Sequence, residues 1–482
     1  MTWEPVIGIE VHVELKTRSK MFCSCRVDFD SEPNTNVCPV CLGLPGALPV
    51  TNLRAIEWIT KIGMALSCEI STRSQFHRKN YFYADQPKNY QISQFDIPVC
   101  HDGLLEVEVD GSPTVVRINR AHMEEDTGKS IHLGDGGRIH SATATLLDFN
   151  RAGVPLVEIV SEPDIYSPAQ ARAYAQTLRS LVATLDVSDA KLEEGSIRFD
   201  ANVSIRPIGA QELGTKVEIK NMNSFRSLEK AVEYEIRRQE KVLESGGTLH
   251  QETRHWDEEE GVTHGMRSKE ESSDYRYFPE PDLLPIEVNE EWQAEIRATL
   301  PELPGARKAR YIELGLDPQT AGVLVGSDEG LSALFEDAVA AGADPNAAGN
   351  WVTGEVTAHL RREDVAVSDV PLTGAHIAEL TGMVDDGRLS ATAAKEALTG
   401  VMGGEGSPTE VAGKRDLIQI SDTGALEVAV DAAISENQED YERLREGEDK
   451  LIGFFVGQVM RSSGGKADPK VVTEILRRRL SE

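Results

Sequence analysis

Apolar and polar residues alternate over 8–15, where Ile9, Val11, Val13 and Leu15 interleave with Gly8, Glu10, His12 and Glu14. Residues 196–206 repeat the pattern, with Ile197, Phe199, Ala201, Val203 and Ile205 set against Arg198, Asp200, Asn202, Ser204 and Arg206. Successive side chains leave a strand on opposite sides, so both stretches predict half-buried β-strands with one apolar and one polar face. A shorter alternation runs from Val115 to Arg120. The period becomes helical after Ser167-Pro168, a cap followed by proline at the first helical position, where Tyr174, Leu178, Leu181 and Leu185 form a stripe. A second helix is predicted after Asn223-Ser224; it carries Leu228, Val232 and Ile236 and stops at Gly246-Gly247. Beyond Pro279-Glu280-Pro281-Asp282 the texture changes. Residues 300–305 read as a linker or helix entry, and the chain then turns alanine-rich and loses its strand alternation. A glycine-rich break follows at Gly403-Gly404-Glu405-Gly406-Ser407-Pro408. The expected architecture is an α+β domain over 1–294, a helical domain over 295–405 and a small helical tail over 406–482.

Composition narrows the class. The chain has 482 residues, room for two to four domains of roughly 100–200 residues each. With 40% hydrophobic and 27% charged residues it reads as globular rather than disordered. No apolar run reaches the roughly 18 residues that span a bilayer, and the N-terminus lacks the basic start and apolar core of a secretory leader. The expectation is a cytosolic protein with no membrane partner. Asp and Glu outnumber Lys and Arg by 80 to 50, a net charge of −30. Alone, that charge argues against a polyanionic partner, because nucleic-acid binders present a basic face. A high-salt setting, which tolerates a dense acidic surface, is the other reading, and the spread of acids along the chain suits it.

Several clusters carry candidate chemistry. Four of six cysteines are bunched as Cys23-Ser24-Cys25 and Cys38-Pro39-Val40-Cys41. Two thiolate pairs joined by a loop can wrap a tetrahedral zinc, and four thiolates close its shell, which suits a structural role; a reduced, metal-free cluster is the alternative. Glu10, His12 and Glu14 share one strand face, a set able to bind a divalent cation or move protons, or else simply the solvated polar face of a surface strand. His122-Met123-Glu124-Glu125-Asp126 places three acids in a row at a strand end, where like charges repel unless a cation meets them. The Gly128-Lys129-Ser130 that follows is no phosphate loop, because Met123 stands where its first glycine belongs. Residues 77–83, from His77 through Lys79 to Tyr83, alternate basic and aromatic groups suited to phosphate and base contacts, or to an aromatic strand with solvated flanks. The strand face Arg198, Asp200, Asn202 and the segment around Lys220 would suit a pocket for a charged substrate and phosphates, or else form a charged network that costs stability if buried without partners.

Taken together these stretches resemble the GatB/GatE family, the B and E subunits of tRNA-dependent amidotransferases. The resemblance rests on GIEVHVEL at 8–15, CPVCLGLPGALPV at 38–50, HRKNYFYADQPKNYQISQ at 77–94 and HMEEDTGK at 122–129. It continues through DFNRAGVPLVEIVSEPD at 148–164, LEEGSIRFDANVSIRP at 192–207, KVEIKNMNSF at 216–225, QETRHWD at 251–257 and DYRYFPEPDL at 274–283. FFVGQVMRSSGGKADPKVV at 454–472 resembles the family's tail. The resemblance implies a cradle-shaped catalytic domain with a zinc-binding insertion, a helical domain and a YqeY-like, tRNA-binding tail. It implies ATP-dependent activation of the side-chain carboxylate of Asp-tRNA(Asn) or Glu-tRNA(Gln), followed by amidation. Ammonia would come from a glutaminase A subunit, with a small C subunit completing a heterotrimer. Carried over by residue, it makes Glu10, His12 and Glu125 the expected magnesium ligands. Glu124, Lys79, Arg198, Asp200 and Lys220 become the expected ATP and acyl-phosphate pocket, with Lys79 and Arg198 on the nucleotide. The chain is too short and continuous for the large insertion of the E subunits, which favours the B type. The competing expectation is a zinc-stabilised tRNA-binding scaffold with no catalysis of its own.

The extreme C-terminus adds one further expectation. Residues 461–482 hold Arg461, Lys466, Lys470, Arg477, Arg478 and Arg479 against Asp468, Glu474 and Glu482, a local excess of three positive charges. They read as a helix with Val472, Ile475 and Leu476 turned inward and a basic side free to meet tRNA, or else as an ordinary amphipathic terminal helix with a solvated basic end.

Overall fold

The computed structural model describes residues 3–481 except 29, 110, 134–142, 269–274, 328, 420–422 and 465. It divides into two compact units, Met1–Pro304 and Gly305–Glu482.

The first unit is α+β. Its strands in chain order are β1 (Trp3–Glu14), β2 (Glu69–Ile70), β3 (Arg73–Ser74), β4 (His77–Asn80), β5 (Tyr90–Ser93), β6 (Cys100–Val109), β7 (Ser112–Glu125) and β8 (Lys129–Leu133). They continue as β9 (Ala144–Asp148), β10 (Pro155–Ser161), β11 (Ile197–Pro207), β12 (Val217–Lys220), β13 (Glu252–Asp257), β14 (Val262–Ser268), β15 (Phe278–Pro279) and β16 (Ile286–Glu287). Nine of them form one sheet in the order β14-β13-β12-β11-β1-β10-β7-β6-β2. All its pairings are antiparallel except β12 with β13.

The two alternating stretches read from the sequence lie side by side at the centre. β1 pairs with β11 from Trp3↔Pro207 to Val13↔Ile197. Ile9, Val11 and Val13 therefore share a side with Phe199, Ala201 and Val203, and all are buried in one core. Helices α1 (Leu53–Ala65), α2 (Pro168–Thr184) and α3 (Phe225–Glu244) supply Ile56 and Ile59, Tyr174 and Leu178, and Leu228 and Val232 to that core. Burying apolar area on one side only stabilises the sheet while leaving its other side polar. Both predicted helix starts are as read. Ser167 Oγ accepts from Gln170 N with Pro168 in the first turn, and Ser224 Oγ accepts from Ser227 N. Each cap ties off an otherwise orphaned amide.

After β16 the described residues contain helices and turns but no strand. The helices build one cluster around Tyr311, Phe335, Ile377 and Leu398, and a further cluster from Leu426 to Leu476 around Val430, Phe455 and Val472. The glycine-rich turn at 403–406 leads into a helix, Pro408–Lys414, whose Val411 and Ala412 pack into the first of these. The terminal helix Pro469–Ser481 buries Val472, Ile475 and Leu476, the stripe read from the sequence. No helix among the described residues is long and apolar enough to cross a membrane.

Candidate active site on the polar face of the sheet

Strand register assembles the polar side. His12 lies opposite Arg198 on one flank and Glu158 on the other, and Glu158 lies opposite His122. Two residues along, Glu10 faces Asp200, while Glu124 continues the His122 side of β7. Cross-strand neighbours on one face stand about 5 Å apart, so residues far apart in sequence become adjacent.

His12, Glu124 and Glu158 each offer a ligand atom, all within 4.8 Å of one another. Beside them His122 Nε2 sits 3.3 Å from Glu158 and 3.6 Å from Glu124, and Lys79 Nζ sits 3.6 Å from Glu124. Ser93 Oγ donates to Glu124 at 2.9 Å and Gln91 Nε2 donates to it at 3.2 Å, so β5 holds this carboxylate in place. Burial opposes charge throughout the group, yet mutual attraction wins. Lys79, with His122 and His12, holds Glu124 well below the usual carboxylate range, and His122 likewise lowers Glu158. Glu158 and Glu124 together outweigh desolvation at His122 and push its imidazole up to about 9. Lys79 is also desolvated, but Glu124 keeps its ammonium above the ordinary value. His122 Nδ1 is buried without a hydrogen-bond partner. Two ionised carboxylates and an imidazole in one pocket are a donor set that fits a divalent cation.

Two ion-pair groups flank this centre. Arg198 reaches Asp126 at 3.0 Å and Glu14 at 3.9 Å. Burial and the nearby Asp126 raise Glu14, while Arg198 and Arg151 lower Asp126 against its own desolvation. The two carboxyls titrate as a pair, with Glu14 the member raised and Asp126 the member lowered. Lys220 Nζ contacts Asp200 at 2.7 Å and Glu218 at 3.1 Å, and these acids hold it charged against burial. Arg198 and Lys220 present two cations on this sheet face, and Lys79 reaches it from β4, which belongs to a separate three-stranded sheet with β5 and β15.

The magnesium trio expected from the sequence does not converge. His12 lies in the acid cluster, but Glu10 is turned to Asn202 Nδ2 at 2.9 Å, and burial followed by Glu158 raises its carboxyl. Glu125 follows Glu124 directly on β7, so strand alternation sends it to the opposite side. There it pairs with Lys88 and accepts from Ile92 N at 2.9 Å. Glu158 takes its place in the cluster. The signal for Glu158 was a single acid inside the apolar run Val154-Pro155-Leu156-Val157-Glu158-Ile159-Val160, since a carboxylate is not buried among such residues without partners.

The cysteine loop lies on the Glu125 side. The sulfurs of Cys23, Cys25, Cys38 and Cys41 lie within 4.8 Å of one another. Asn34 and Asn36 fasten the loop to Asp148, Phe149 and Asn150. Its tether Met21 N donates to Gly153 O at 2.7 Å. Lys20, fully buried, donates from Nζ to Phe149 O at 3.1 Å and approaches Cys41 Sγ at 3.7 Å. Hydrogen bonding to Cys23 draws the Cys41 thiol below its ordinary value and raises that of Cys23. A cavity of about 110 Å³ separates this group from Lys88, Tyr90 and Glu125.

Fold and site define a class: an α+β catalytic domain with an acid-lined sheet face and a cysteine-rich loop, followed by a helical C-terminal region. The GatB/GatE catalytic domain matches residues 5–294, and the GatB domain matches residues 333–480. The chain belongs to the GatB/GatE family. It is 50% identical over 490 residues to the B subunit of the aspartyl/glutamyl-tRNA(Asn/Gln) amidotransferase of Picosynechococcus sp., covering 99% of this chain and 98% of that one. It is 47% identical to the same-named protein of Carboxydothermus hydrogenoformans, over 100% of this chain and 99% of the relative. For that of Caldanaerobacter subterraneus the figure is 48%, over 100% of each. The scaffold reading without catalysis finds no support, because the match is to the family's catalytic domain.

Proposed function

We propose that this chain, in a cytoplasmic complex, activates the side-chain carboxylate of misacylated Asp-tRNA(Asn) or Glu-tRNA(Gln) with ATP and then amidates it. The observation that carries the reading is the His12, Glu124, Glu158 cluster beside three cations, in a chain alike from end to end to proteins named for that reaction. A free carboxylate is a poor acyl donor. Its oxygen attacks the γ-phosphorus, ADP leaves, and the acyl phosphate now has a leaving group. Ammonia nitrogen then attacks the acyl carbon, and phosphate departs as the amide forms. Magnesium held by His12, Glu124 and Glu158 would supply charge neutralisation for the phosphoryl group.

The chain's own residues do the rest. Lys79 binds a phosphate oxygen; Arg198 and Lys220 turn from Asp126 and Asp200 toward the nucleotide and the acyl phosphate. Ser93 and Gln91 keep Glu124 aimed into the site. Asp200 sets the resting position of Lys220. The four cysteines would hold a structural zinc, with buried Lys20 offsetting part of the thiolate charge. Ammonia comes from a glutaminase A subunit, a small C subunit completes the heterotrimer, and the helical tail, residues 406–482, contacts tRNA.

The test is amidation of both misacylated tRNAs by the chain co-expressed with its partners. Glu124→Gln should lower ATP-dependent activation by at least about a hundredfold while glutamine hydrolysis by the partner persists. A wild-type complex that amidates neither tRNA, or a Glu124→Gln complex working at full rate, would overturn the reading.

A further inference from the structure

Beside Lys79 the chain builds a group of aromatic rings that this chemistry does not use. β4 runs on into Tyr81, Phe82 and Tyr83, and the segment carrying Tyr275 and Tyr277 returns alongside it through the β15–β4 pair. Asn80 locks the two segments, with its backbone N donating to Tyr275 O at 2.9 Å and its side chain to Arg276 O at 2.9 Å. Phe95 and Tyr277 are stacked at 4.5 Å with 16° between their planes. Tyr275 meets Tyr277 edge-on at 6.2 Å and Tyr81 at 6.3 Å. The Lys79 ammonium lies 5.4 Å from the centre of the Tyr275 ring and 3.6 Å from Glu124, so the rings adjoin the acid cluster directly.

These rings are not spent on the core. Phe95 is 59% exposed and Tyr275 and Tyr277 are only half-buried, although a buried phenylalanine stabilises a fold by about 1.5–3 kcal/mol. Ordered aromatic surface left in water beside a charged centre is what a planar ligand needs. A small free nucleotide is normally enclosed in a concave pocket that buries most of it. Single-stranded RNA ends are instead held on open ring faces, where any base stacks. Recognition by stacking also suits a chain of net charge −30, in which Asp and Glu outnumber Lys and Arg by 80 to 50.

We propose that Phe95, Tyr277 and Tyr275 are the platform on which the 3′-terminal adenine of the substrate tRNA stacks, placing the aminoacyl group over His12, Glu124 and Glu158. The proposal rests on the tRNA-dependent reading above and assigns the residues that seat its substrate. The probe is uncharged tRNA with 2-aminopurine replacing the terminal adenine, added to the complete complex, so that stacking is read as fluorescence quenching without any chemistry. Quenching is expected with the wild type, retained in Phe95→Trp and largely lost in Phe95→Leu. Phe95→Leu and, independently, Tyr277→Leu should raise the KM for misacylated tRNA about tenfold and leave the KM for ATP unchanged. Unaltered quenching in both leucine variants would overturn the proposal. So would a raised KM for ATP with that for tRNA unmoved, which would assign the rings to the nucleotide. A wild-type complex that quenches the probe yet does not amidate would leave the platform standing and remove the proposed reaction.

Discussion

Glu124 and Glu125 show how much one position along a strand decides. Glu124 joins His12, Glu158 and Lys79, whereas Glu125 joins Lys88 on the other side of β7. The Glu125–Lys88 pair is almost fully enclosed, with side chains 4% and 8% exposed. Removing one partner of a buried pair leaves the other charge uncompensated, at about 3–5 kcal/mol. Glu125→Gln should therefore lower the melting temperature of the chain, and Glu125→Gln with Lys88→Met should recover much of the loss. If Glu125→Gln melts like the wild type and only activity falls, Glu125 acts in the chemistry rather than in this pair. The acids at 124–126 and the trio on β1 were legible from the sequence as a charged site. Which acid faces which side was not, because alternation gives relative facing within one strand but not the register between strands.

At the scale of elements, alternation and caps were sufficient for β11, α2 and α3, whose boundaries follow from apolar spacing and from Ser167 and Ser224, whereas β1 begins at Trp3, five residues before the alternation read over 8–15. β7 was harder. Its alternation reads over Val115–Arg120, but the strand spans Ser112–Glu125, and Ala121, His122, Met123 and Glu124 are all buried, so the two-residue polarity signal fades where both sides are covered. The cysteine loop has almost no regular structure and is fastened by Asn34, Asn36 and Met21 as well as by its thiols. Zinc binding in small peptide modules contributes on the order of 10–16 kcal/mol. Chelation should therefore make residues 22–50 sensitive to limited proteolysis while the sheet stays folded. Metal analysis should give about one zinc per chain, matching one four-thiolate site; no zinc, with a protease-resistant loop, would refute the assignment.

Over the whole molecule, the charge of −30 is the dominant long-range term. Self-repulsion destabilises a compact state and is screened within about 10 Å at 0.1 M salt and 3 Å at 1 M. The melting temperature should rise between 0.1 M and 1 M potassium chloride, and a flat or falling curve would show that the surface acids are already compensated. Compensation is visible in the tail. Lys466 pairs with Asp416, Arg478 with Glu427 and Arg479 with Asp431, so acids outside 461–482 offset the local positive excess counted from the sequence. By itself the sequence determined the strand and helix periods, the division into an α+β part and a helical part, the cysteine group and the kinds of residue available for catalysis. These depend on neighbours a few positions apart, where spacing alone sets which side chains share a face. Only the tertiary structure decided that Glu158 rather than Glu125 meets His12, that Phe95 stacks on Tyr277, and that Arg478 and Arg479 have acidic partners. Each of those contacts joins segments brought together by strand register and helix packing, and long-range geometry of that kind is settled by the burial of one shared core.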